Sequence, residues 1–70
     1  MPDLFPAAPK QASLRRQLEC VIREIGMRER VYARRVRDGV MTKAKADDEL
    51  AAMRAVADTL RDLLEKERAC

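Results

Sequence analysis

The sequence predicts an all-α fold: an antiparallel helical hairpin, with long helices over about residues 10–38 and 43–68, expected to dimerise into a four-helix bundle. Three observations carry this reading. Charged residues make up 39% of the 70-residue chain, a composition that together with helical periodicity signals long helices. Gly26 and Gly39 are its two glycines, too little punctuation for a strand-rich fold. Apolar residues recur at spacings of three and four on either side of one break, Arg37-Asp38-Gly39-Val40-Met41-Thr42.

Residues 1–9 hold Pro2, Pro6 and Pro9. Proline lacks an amide donor and biases the preceding residue away from helix, so this stretch reads as an extended or disordered arm. The alternative is that Leu4 and Phe5 fold back as an apolar plug on the bundle end. Residues 10–70 form the hairpin domain. Its first helix starts between Lys10 and Leu14, with Pro9 tolerable in a first turn and Ser13 a rival cap. At about 100° per residue, Leu14, Leu18, Val21, Ile22, Ile25, Tyr32 and Val36 fall on one stripe, which Glu29 interrupts. Gly26 lies mid-helix, where it costs about 1 kcal/mol against alanine.

At the break, Gly39 can take the left-handed conformation that closes a helix. Thr42 can cap the next one with its hydroxyl. In the second helix Ala46, Leu50, Met53, Ala57, Leu60 and Leu64 alternate spacings of four and three, the seam of coiled-coil-like packing. Asp47, Asp48 and Glu49 are expected to complement the positive end of the helix dipole, and Lys66 and Arg68 the negative end. Folding the chain about the turn sets Val36 near Ala46, Tyr32 near Leu50, Ile25 near Ala57, Ile22 near Leu60 and Leu18 near Leu64.

A lone hairpin leaves further apolar residues unused. Ala52, Val56 and Leu63 widen the second helix's stripe, and Cys20, Met27 and Val31 make a second seam on the first. A helix apolar over so wide an arc meets more than one neighbour. Covering Val56, Leu63, Met27 and Val31 is worth about 1.5–2 kcal/mol each by area. These six residues are the predicted dimer interface, and two-fold symmetry is the commonest arrangement. A monomer with scattered surface apolars is the competing reading.

The formal charge is +3, unevenly spread. Residues 28–45 hold seven basic side chains against Glu29 and Asp38, while residues 46–70 hold four against seven acids. Arg28, Arg30, Arg34, Arg35, Arg37, Lys43 and Lys45 bracket the turn, a patch that can neutralise phosphate. Tyr32 is its one aromatic and belongs to the core stripe, so no base-stacking platform accompanies it. The plainer reading is a solvated face whose arginines pair with acids of the second helix or a second subunit.

The chain has no histidine, which removes the usual general base and transition-metal ligand. Asp47, Asp48 and Glu49, at consecutive helical positions, diverge and do not converge on one ion. Cys20 and Cys70 are expected to lie too far apart for a disulfide, and neither has an activating neighbour. No catalytic residue, cofactor, metal or small-molecule substrate is indicated. The N-terminus lacks the pattern of a signal peptide and no segment is apolar enough to span a bilayer, so a reduced, cytoplasmic protein is expected.

The run Arg23-Glu24-Ile25-Gly26-Met27-Arg28-Glu29-Arg30-Val31-Tyr32, followed by Gly39-Val40-Met41-Thr42-Lys43-Ala44-Lys45-Ala46-Asp47, resembles small uncharacterised helical proteins of phages and prophages in proteobacteria. There an arginine-rich helix ending in a valine-tyrosine pair leads through a glycine turn into an alanine-rich helix. Those proteins often carry a proline and a tryptophan shortly after the tyrosine, where this chain has Ala33 and Arg35. The resemblance covers about residues 20–60 and implies a prophage-derived adaptor or nucleic-acid accessory role, with no activity attached. The functional expectation is a non-catalytic, homodimeric interaction protein, with another protein as a further partner. The alternative is a nucleic-acid-binding accessory factor using the arginine-rich hairpin end.

Overall fold

The computed structural model describes residues 11–69. The arm over 1–9, including its apolar plug, and Cys70 lie outside them. The described residues form two helices, α1 over Leu14–Arg37 and α2 over Lys43–Ala69, packed against each other as a hairpin. At about 1.5 Å per residue they are nearly 40 Å long.

The first helix starts at Leu14, not at Lys10. Ser13 decides this. Its backbone is extended (ψ 159°) and its hydroxyl accepts the Arg16 N–H at 3.1 Å, satisfying a donor that the first turn leaves unpaired. The Gln17 side chain donates to the Ala12 carbonyl at 2.7 Å, binding the entering strand of chain to the first turn. At the other end Gly39 has φ +76°. Its N–H donates to Val36 O, and that of Val40 to Arg35 O. This pair of reversed bonds is a Schellman closure, which needs a left-handed residue after the cap Asp38. Thr42 then starts α2, its hydroxyl accepting the Lys45 N–H at 3.1 Å.

The two glycines therefore make opposite predictions. No neighbour lies within 4 Å of a Cβ built at either, so backbone conformation alone decides. Gly39→Ala forces a side chain into positive φ and is expected to destabilise the hairpin by about 1 kcal/mol. Gly26→Ala, in ordinary helical backbone, is expected to stabilise it by about 0.5–1 kcal/mol. Thermal melts followed by circular dichroism at 222 nm check both, as midpoints moving in opposite directions.

The core is thin. Tyr32, Ala46, Ala57 and Leu60 are its buried residues among those described. Two are alanines, small side chains that allow close approach of two helices. Leu14, Leu18, Val21, Ile25, Val36, Leu50, Met53 and Leu64 are half-buried along the same seam. Ile22 departs from the predicted stripe: it is 47% exposed. It shares a groove with Ile25, Ala57 and Arg61, while Val21 lies beside Leu60 on the other side of the hairpin. One residue's rotation, about 100°, separates the two.

The acids near the start of α2, and Glu29 of α1, make side-chain pairs that the sequence reading left out. The first turn of α2 holds no acid, and the dipole's influence fades beyond that turn. Asp47 instead accepts from Lys43 at 2.8 Å, and Glu49 forms an ion pair with Lys45 at 3.2 Å, each partner one turn back. Glu29, which interrupts the apolar stripe of α1, reaches across to Arg54 of α2 at 2.6 Å. It is the ion pair that joins the helices among the described residues. Both side chains are about half exposed, so its contribution to stability is small. Its value is positional, since it marks which residues of α1 and α2 lie side by side.

A candidate interaction surface

Stepping outward from Glu29–Arg54 along two antiparallel helices sets Met27 beside Val56, Val31 beside Ala52 and Cys20 beside Leu63. These are the six residues predicted to form an interface, and all are exposed in the hairpin. Met27, Val56 and Leu63 are 46%, 46% and 44% exposed, unusual for large apolar side chains three at a time on one face. Cys20, Val21, Val56 and Leu60, with Arg16 and Gln17 beside them, line one groove of about 450 Å³, so the flanks of α1 and α2 open on the same side. Cys20 is a free thiol there.

The opposite side is built differently. Around Ile22, its groove is rimmed by Arg54, Asp58 and Arg61, with Arg61 paired to Asp58 at 3.2 Å. Nearer the turn, Glu29, Lys43 and Asp47 frame Tyr32, Val36 and Leu50. The band side exposes apolar residues of both helices but also carries the Arg28–Glu24 and Lys45–Glu49 pairs, while the opposite side carries Glu29–Arg54 and Arg61–Asp58.

The seven predicted patch residues divide. Arg28 turns inward: its guanidinium donates to the Tyr32 hydroxyl at 3.1 Å. Its Nε lies 3.4 Å from Glu24, a charge contact rather than a hydrogen bond, because the N–H has no acceptor in line. The hydrogen bond to Tyr32, with Glu24 contributing less, raises the Arg28 pKa above its ordinary value, so it stays charged. Arg37 pairs with Asp38 at 3.3 Å, and Lys43 and Lys45 with their acids in α2. Arg30, Arg34 and Arg35 make no ion pair among the described residues and are exposed. The expectation that the α1 arginines pair with acids of α2 is not met within the hairpin.

Sequence reasoning missed Arg54, whose partner lies 25 positions away. An isolated acid inside an apolar stripe is the signal that pointed to such a partner. It also missed the Arg28–Tyr32 bond, although an i,i+4 spacing places those side chains together. No group of three or more His, Cys, Asp or Glu residues is placed to hold a metal ion among the described residues. Nor is either helix long and apolar enough to cross a membrane.

No family model, curated protein or solved structure matches this chain.

Proposed function

We propose that the chain is a non-catalytic interaction protein, a helical hairpin that dimerises through its apolar face into a four-helix bundle. One observation supports this most: Cys20, Met27, Val31, Ala52, Val56 and Leu63 form a band across both helices that no other described residue buries, over a core of four buried residues among those described. A chain of this size rarely holds itself with so little interior. Pairing the bands supplies that interior. A cytoplasmic, prophage-derived adaptor is the setting that suits such a module.

The expected solution mass in reducing buffer is about 16 kDa, twice the 8.0 kDa of the chain. Placing charges in the band by Val56→Asp with Leu63→Asp is expected to return the mass to that of one chain, because a buried unpaired carboxylate costs several kcal/mol. Light scattering behind size exclusion reads both. A double variant that keeps the parent mass and stability removes this reading.

Arg30, Arg34 and Arg35 support a second reading, in which the hairpin end binds nucleic acid through the phosphate backbone. It predicts affinity that falls steeply with salt and that weakens in an Arg34→Ala, Arg35→Ala variant by about two units of salt slope. Absence of binding at low salt sinks it.

A further inference from the structure

We infer that the second copy docks with both hairpin turns at the same end, α1 of each protomer lying over α2 of the other. This rests on the dimer reading and adds its geometry.

The spacing of the apolar band carries the argument. Along α1 the band steps seven residues from Cys20 to Met27, then four to Val31. Along α2 it steps four from Ala52 to Val56, then seven to Leu63. Glu29–Arg54 sets the two series side by side to within about a residue. A two-fold axis parallel to the helices therefore stacks three layers in register: Cys20 on Leu63, Met27 on Val56 and Val31 on Ala52. Docking with the turns at opposite ends reverses the series, so the outer layers still meet. Its middle layer, however, slips by three residues, or about 4.5 Å. The middle layer is then out of step with the outer two, whereas same-end docking keeps all three level.

Charge selects the same arrangement. Helix α1 carries eight arginines against three glutamates, and α2 six basic residues against seven acids. Same-end docking lays the basic helix on the acidic one twice, whereas opposite-end docking lays like on like. At the outer rim Arg34 of α1, which has no ion pair among the described residues, then comes level with Glu49 of the other copy's α2, one residue from Asp48. In the opposite docking it comes level with the other copy's Gln17, one residue from Arg16. At the open end Arg16 faces Lys66 and Glu67, whose charges cancel. Same-end docking also brings the two sets of Arg30 and Arg35 to one end of the bundle, so a polyanion would find a doubled basic surface there.

Val40 is the place to measure. It sits at the turn and is 74% exposed, so a probe there touches neither interface. In a Cys20→Ala, Cys70→Ser, Val40→Cys chain carrying a nitroxide label, which keeps the Cys20 layer apolar, pulsed electron resonance reads the distance between the two turns. Same-end docking predicts less than about 25 Å, and opposite-end docking about 45 Å from the helix rise. A two-chain mass with a distance above about 30 Å overturns the inferred docking while keeping the dimer. Any mass other than that of two chains overturns the dimer reading beneath it.

Discussion

Tyr32→Ala is expected to abolish the folded hairpin, and Tyr32→Phe to keep it. Tyr32 is 7% exposed and is the buried residue of α1, facing a seam in which α2 contributes two alanines. Little around it can collapse into the space the ring leaves. Truncating a buried aromatic costs about 3–5 kcal/mol, as much as a core in this size range commonly supplies. Tyr32→Phe retains the ring and loses only the bond from Arg28, a cost of about 0.5–1.5 kcal/mol. Circular dichroism at 222 nm should then show a largely unfolded alanine variant and a helical phenylalanine variant with a modestly lower midpoint. Equal loss in both would move the weight from the ring to the hydroxyl, contrary to the packing described here.

The contrast between Tyr32 and Ile22 shows how far the sequence could be read. Both fall on the predicted stripe, yet one is buried and the other 47% exposed. A helical wheel places residues within an arc, but it cannot find the centre of the contact, because that depends on where the second helix sits. Ala46 and Ala57, small residues on α2, set that position. The turn was legible to the residue, since left-handed backbone and hydroxyl capping are local properties of Gly39 and Thr42. Ser13 was visible too, as a rival to an earlier start. Glu29 read as an interruption because its partner Arg54 is distant in sequence. The surface band was legible as surplus: the six residues left over after the seam was assigned are exposed together on one side. The basic cluster was legible only as a composition. Which of its members are held by Tyr32, Glu24, Asp38, Asp47 and Glu49, and which are left over, follows from side-chain reach at i,i+4 and across the turn.

The same packing predicts a large effect of opposite kind at Ala57. This residue is 2% exposed, and lines the groove shared with Ile22 and Ile25. Ala57→Leu drives three added carbons into the contact between helices. Because Ala46 and Ala57 set the approach, the helices must separate, loosening Tyr32 and Leu60 at the same time. Overpacking of this kind costs about 1–3 kcal/mol, which for a domain of this size lowers the melting midpoint by about 4–8 °C per kcal/mol. Ala55→Leu is the control: it makes the same substitution in the same helix at an exposed position, where about 0.5 kcal/mol or less is expected. A drop at 57 with none at 55 ties the loss to the interhelical contact rather than to helix propensity. If both variants melt with the parent, the helices stand far enough apart at Ala57 to take leucine, and close approach through alanine is not what holds the hairpin.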